Sequence, residues 1–109
     1  MLDLEISARD VAARLASGNA ELVLLDVREP WEFQTAQIAG SKLMPMGEVP
    51  SRVFREIDPE AHIVTVCHSG VRSLNVAAWM RNQGFENVQS LSGGIDSWSR
   101  EVDPAVPRY

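Results

Sequence analysis

The sequence predicts an α/β domain, a mostly parallel sheet with helices on both faces. Three observations predict it. Leu22 to Asp26 is a continuous apolar run up to its closing aspartate and Ile63 to Val66 is a β-branched run, neither alternating, the pattern of strands buried on both faces. Candidate strands and stretches of helical spacing alternate along the chain, which calls for parallel pairing and right-handed crossovers. The 109 residues, 45% hydrophobic and 23% charged, suffice for one ordinary soluble core, with no repeat, linker or low-complexity segment to divide it. One domain over 1–109 is expected, its core running from about 4 to 100 and residues 101–109 forming an extended tail around Pro104 and Pro107.

Taken in order, Leu4-Glu5-Ile6 is a short strand. Ser7 is a good N-cap with Asp10 three residues on, and Val11, Ala12, Leu15 and Ala16 make the apolar stripe of a scaffold helix that Gly18 stops. After the strand Leu22 to Asp26, Pro30 suits a helix first turn, with Trp31, Glu32 and Phe33 behind it. Residues 37–41 read as a turn and Lys42-Leu43-Met44 as a weak strand. Met46 to Pro50, punctuated by Gly and Pro, reads as a loop before a short amphipathic helix from Ser51 to Ile57. The strand Ile63 to Val66 leads to a helix from Ser73 to Gln83, with Leu74, Ala77, Ala78 and Arg81 at helical spacing and Gly84 as its stop. Val88 to Leu91 is the last strand. Gly93-Gly94 ends it and a short helix starts at Ile95; the diglycine is either a tight turn or a place where backbone approaches the cysteine loop.

The bulk numbers exclude several classes. A net charge of −5 argues against nucleic-acid or anionic-membrane partners. No apolar run approaches membrane-spanning length, and Asp3 and Glu5 stand where a secretory leader would be basic. One cysteine excludes an internal disulfide, and with two histidines it gives no basis for a metal site. A cytoplasmic protein with a reduced thiol is expected.

The chemistry gathers at residues 63–73, which read strand, cysteine, tight loop, helix. That order sets Cys67 at the C-terminal end of a strand and at the positive end of a helix, where backbone N–H groups lack partners. Helix dipole, loop amides and the Arg72 guanidinium all favour a thiolate there, and successive amides form an anion nest. Cys67 is therefore a candidate nucleophile; the alternative is a buried structural cysteine. Asp26, Arg28 and Glu32 sit where the earlier strand ends, a position that lines the crevice of open α/β sheets. A polar network tying a loop down is as good a reading of them as a direct role.

These residues carry a resemblance. Leu25-Asp26-Val27-Arg28-Glu29, Ile38-Ala39-Gly40-Ser41, Cys67-His68-Ser69-Gly70-Val71-Arg72-Ser73 and Gly93-Gly94-Ile95 with Trp98, in this order and spacing, resemble a single-domain rhodanese over about residues 6–100. The resemblance implies five parallel strands in the order 1-5-4-2-3. It implies a sulfurtransferase in which Cys67 forms a persulfide, His68, Ser69, Gly70, Val71, Arg72 and Ser73 cradle the substrate, and Arg72 helps hold an anionic donor such as thiosulfate. It makes Asp26 and Arg28 mainly structural, with Glu32 beside them. Gln37 departs from the family's frequent histidine before the Ile-x-Gly turn, and that position is structural too. The implied reaction is ping-pong and needs no metal or other cofactor. With a single cysteine, the sulfur acceptor, a thiol or a protein, must come from outside.

Two rivals remain. Cell-cycle cysteine phosphatases share the strand–loop–helix plan but place one more residue between Cys and Arg than the four found here. A non-catalytic binding module is the other, and such modules have lost the cysteine that this chain keeps.

Overall fold

Glu5–Ile6 (β1), Leu22–Asp26 (β2), Lys42–Leu43 (β3), His62–Val66 (β4) and Val88–Leu91 (β5) form one sheet. The computed structural model describes residues 2–18 and 21–109. The strand order is β1-β5-β4-β2-β3, as the resemblance implies, and every pairing is parallel. Between the strands run Ala8–Ala16 (α1), Pro30–Thr35 (α2), Val49–Glu56 (α3) and Val71–Asn82 (α4), and Gly94–Glu101 (α5) follows the last strand.

The sheet is sandwiched because its central strands have two apolar faces. Leu22 and Leu24 of β2, with Val64 and Val66 of β4, join Ala8 and Val11 of α1 and Ile95 and Trp98 of α5 on one side. Leu25, Ile63 and Val88 meet Val49 and Val53 of α3 and Val76, Ala77 and Met80 of α4 on the other. This is the two-residue alternation of a strand expressed in two cores at once. Fully burying each Val, Leu or Ile stabilises by about 1.5–3 kcal/mol.

Ser7 caps α1 as expected, its hydroxyl accepting from the Asp10 amide at 3.1 Å. Three expectations need correction. α3 starts at Val49 rather than Ser51, preceded by a 3-10 turn at Met46–Glu48 where a loop was expected. Pro50 is no obstacle, because a first-turn residue has no intrahelical N–H bond to lose. α4 starts at Val71 rather than Ser73, so Arg72 and Ser73 belong to its first turn. Its core-facing side carries Ser73, Val76, Ala77 and Met80, which leaves Leu74 half-buried and Ala78 exposed. Finally, residues 101–109 are not simply extended. Val106 is buried in the core shared by α1 and α5, and its amide bonds the Asp103 carbonyl at 3.1 Å. No helix among the described residues is long and apolar enough to cross a membrane.

Candidate active site

Parallel strands deliver their C-terminal ends to one edge, and Cys67 leaves β4 there. The chain reverses through His68 and Ser69 and enters α4 at Gly70, whose φ of 104° is a left-handed conformation that a side chain would strain. This turn folds back on the sulfur. The Gly70 amide donates to Cys67 Sγ at 3.1 Å, and the thiol donates to Ser73 Oγ at 3.3 Å. A hydroxyl can rotate, so an ionised sulfur there can receive a proton donor from Ser73 instead. Ser73 is itself fixed: its Oγ bonds Ser90 Oγ of β5 at 2.8 Å, and its carbonyl accepts from Thr65 Oγ1 of β4 at 2.8 Å.

The loop takes its orientation from α5. Ile95 N donates to the Cys67 carbonyl at 2.9 Å and Asp96 N to the His68 carbonyl at 3.1 Å. A trans peptide sets N–H opposite C=O, so holding these two carbonyls against α5 turns the His68 and Ser69 amides the other way. Such an approach leaves no room for a side chain. A Cβ on Gly94 would lie 2.4 Å from the His68 oxygen and 2.5 Å from the Cys67 oxygen, and one on Gly70 would lie 3.2 Å from Gly93 N. Of the two readings of the diglycine, both apply: it is a strand-to-helix turn, and it brings backbone against the cysteine loop.

Cys67 is 1% exposed, in the core beneath α4. A sulfur partly open at the bottom of a pocket and ringed by several amides is therefore not what the fold presents. One amide and one hydroxyl face a covered thiol, and in the loop that follows it His68 is half-buried and Ser69 exposed.

Beside the loop lie two ion pairs. Arg28 is fully buried and places all five guanidinium N–H groups. Nε and Nη2 grip the Asp26 carboxylate, Nη2 also reaches the Ala36 carbonyl, and Nη1 reaches the Glu32 carbonyl and Tyr109 Oη. This network pins β2 to both ends of α2. Glu32 faces the other way. Its carboxylate takes Arg72 in a bidentate pair at 2.7 and 2.9 Å, the Glu29 amide at 3.1 Å and the Tyr109 hydroxyl at 2.7 Å. The Arg72 hydrogen bonds, seconded by the other two donors, hold the Glu32 carboxyl down to about 2. Arg72 in turn is raised above its ordinary range by Glu32, with a smaller contribution from Cys67. Burial pushes the Tyr109 phenol up, so it stays protonated.

The fold thus brings Cys67, Gly70 and Ser73 together at the sulfur and sets Arg72 on Glu32. Val71 points to solvent, and Gln37 is exposed with its amide on the Phe33 carbonyl. Sequence reasoning missed Ser90 and Tyr109. A serine within a strand buried on both faces was a readable signal for Ser90; nothing local marks Tyr109. Among the described residues no group of three or more His, Cys, Asp or Glu is placed to hold a metal ion.

Fold and site together define a doubly covered parallel α/β domain with one thiol at the head of a helix. The Rhodanese-like domain family matches residues 7–101, and the chain belongs to that family. It is 34% identical over 102 residues to a sulfurtransferase of Allochromatium vinosum, covering 94% of each chain. It is 38% identical over 92 residues to the chloroplastic rhodanese-like/PpiC domain-containing protein 12 of Arabidopsis thaliana, covering 82% of this chain and 31% of that longer protein. Among solved structures, a rhodanese-related protein from Thermoplasma volcanium superposes with a TM-score of 0.81 at 27% identity, covering 92% of this chain and 94% of the other.

Proposed function

We propose that this chain is a sulfurtransferase that carries sulfane sulfur on Cys67 as a persulfide. The observation that supports it most is the pairing of Cys67 Sγ with the Gly70 amide and the Ser73 hydroxyl at the head of α4. Both can donate to an anionic sulfur, and Arg72 stands in the same first turn. In the first step the Cys67 thiolate attacks the outer sulfur of a small anionic donor such as thiosulfate. A bond forms between Sγ and that sulfur, the S–S bond of the donor breaks, and its electron pair leaves with sulfite. In the second step an external nucleophile attacks the outer sulfur, Sγ departs as thiolate, and the enzyme returns to its first state. Cyanide serves in the test tube and gives thiocyanate; a thiol or a sulfur-acceptor protein serves in the cell. A lone thiol suits the reducing cytoplasm.

Because Cys67 is covered, the loop of half-buried His68 and exposed Ser69 must give way for the donor to reach the sulfur. The test is mass spectrometry after incubation with thiosulfate. One added sulfur is expected, mapping to Cys67, lost on adding cyanide and absent in Cys67→Ser. A serine variant that still released thiocyanate at the wild-type rate would overturn the reading.

A further inference from the structure

The tail that the sequence leaves as an extended end returns to the candidate site. Val106 anchors it in the core, Arg108 reaches Asp96 of α5 at 3.3 Å, and Tyr109 lies among α2, Arg28 and the cysteine loop. The Tyr109 ring stands edge-on to His68 with centroids 4.4 Å apart and edge-on to Trp31 at 5.9 Å. Its hydroxyl makes two bonds of opposite sense. It accepts from Arg28 Nη1 at 2.8 Å and donates to Glu32 Oε2 at 2.7 Å, the same carboxylate oxygen that receives Arg72 Nη2. Arg28 polarises the phenol, and a polarised phenol is a better donor. The chain of contacts therefore runs Asp26, Arg28, Tyr109, Glu32, Arg72, from the end of β2 to the first turn of α4.

We propose that Tyr109 is a positioning residue for the anion-holding side of the Cys67 site, its hydroxyl occupying Glu32 so that Arg72 keeps charge for an anion approaching the sulfur. The inference rests on reading Arg72 as the cation that meets an anionic donor. The physical reason is competition. Every donor that Glu32 takes from elsewhere lowers its hold on Arg72, and Arg72, a third of its side chain exposed, is the member of the chain that an incoming anion can reach. Without the Tyr109 hydroxyl, Glu32 has Arg72 and one backbone amide left, and it neutralises Arg72 more completely.

Tyr109→Phe isolates the hydroxyl, since the ring can still rest against His68 and Trp31. The readout is the rate of Cys67 alkylation by iodoacetate, an anion, divided by the rate with neutral iodoacetamide. The covering of Cys67 slows both reagents alike, so the ratio reports charge and not access. Tyr109→Phe is expected to lower the ratio roughly threefold, any loss of thiolate being common to both reagents, and Arg72→Gln to lower it further. Adding Tyr109→Phe to Arg72→Gln should then change nothing more, because the hydroxyl acts through the guanidinium. With thiosulfate the same substitution should raise KM and leave kcat in place. An unchanged ratio in either single variant, equal losses with both reagents, or additive losses in the double variant would overturn the proposal. Alkylation requires no sulfur transfer. A chain that took up no sulfur yet showed these ratio changes would therefore end the sulfurtransferase reading and leave the role of Tyr109 standing.

Discussion

Arg28 and Arg72 stand on either side of Glu32 and differ in what surrounds them. Arg28 has no exposure, and each of its N–H groups has a partner within the protein. Arg72 makes one bidentate pair, and its side chain is 33% exposed. The same guanidinium chemistry is thus fully used at one place and partly open at the other. A saturated arginine can only hold structure together; one with an open face can also meet a ligand. Asp26–Arg28 and Glu32–Arg72 are the same kind of pair, and burial separates them: one is sealed inside the scaffold, and the other keeps a third of its arginine side chain in solvent.

Substitutions can break this contrast, the largest effect first. Arg28→Ala leaves Asp26 buried without its partner, and a loss of about 3–5 kcal/mol in chemical denaturation is expected. A loss under about 1 kcal/mol would show that water replaces the guanidinium and that the pair is not what ties α2 down. Arg72→Ala should act the other way round. Stability should fall by roughly 1–2 kcal/mol from loss of a half-open pair, while thiosulfate turnover falls by about 1.5–3 kcal/mol in kcat/KM. Activity that merely tracked the unfolded fraction would make Arg72 as structural as Arg28.

Acid sharpens the comparison through Glu32. Its folded carboxyl sits at about 2 against an ordinary 4.5, a depressed value, so its contribution is complete above about 4.5 and drains away as pH falls toward 2. Wild type should exceed Glu32→Gln by about 2 kcal/mol at neutral pH, and the two should converge as the acid limit is approached. A difference that stayed constant from pH 7 to 2 would mean that charge on Glu32 is not the source. The smallest effect is expected at the surface of α3. Arg52 forks onto Glu56 and also reaches Glu48, yet in solvent these pairs contribute little, and Arg52→Ala should barely move the thermal midpoint.

How much of this was legible depended on range along the chain. β2 lies where its apolar run puts it, β4 within one residue of its β-branched run, and β5 where the turn residues around Val88 to Leu91 bound it. Ser7 was legible because a cap bonds three residues away. The starts of α3 and α4 were misplaced by two residues, since Gly and Pro signal irregular backbone and also tolerate a helix first turn. The strand order came from the resemblance; alternation alone predicts parallel pairing without fixing neighbours. Of the candidate site, the sulfur, Gly70 and Ser73 lie within seven residues and read as one motif. Arg72 on Glu32, Tyr109 on Glu32 and Ser73 on Ser90 span 40, 77 and 17 residues, and no local periodicity encodes a side chain meeting another at such separations. The covering of Cys67 was one of two readings the sequence left open, and only the packed fold supplies the neighbours that decide it.

The bonds from Ile95 and Asp96 to the carbonyls of Cys67 and His68 also place the thiol in time. During synthesis the cysteine emerges well before Ser90, for which Glu5 waits at the sheet edge, and before the helix that sets its loop. A chain stalled on the ribosome with about 90 residues outside carries the thiol without the helix that orients its loop. Domains fold as units once their sequence is available, so the thiol of the stalled chain should be open to alkylation and slow to take up sulfur. Emergence of α5 should reverse both properties together; a stalled chain that already matched one including α5 in both would show that the loop sets itself without that helix.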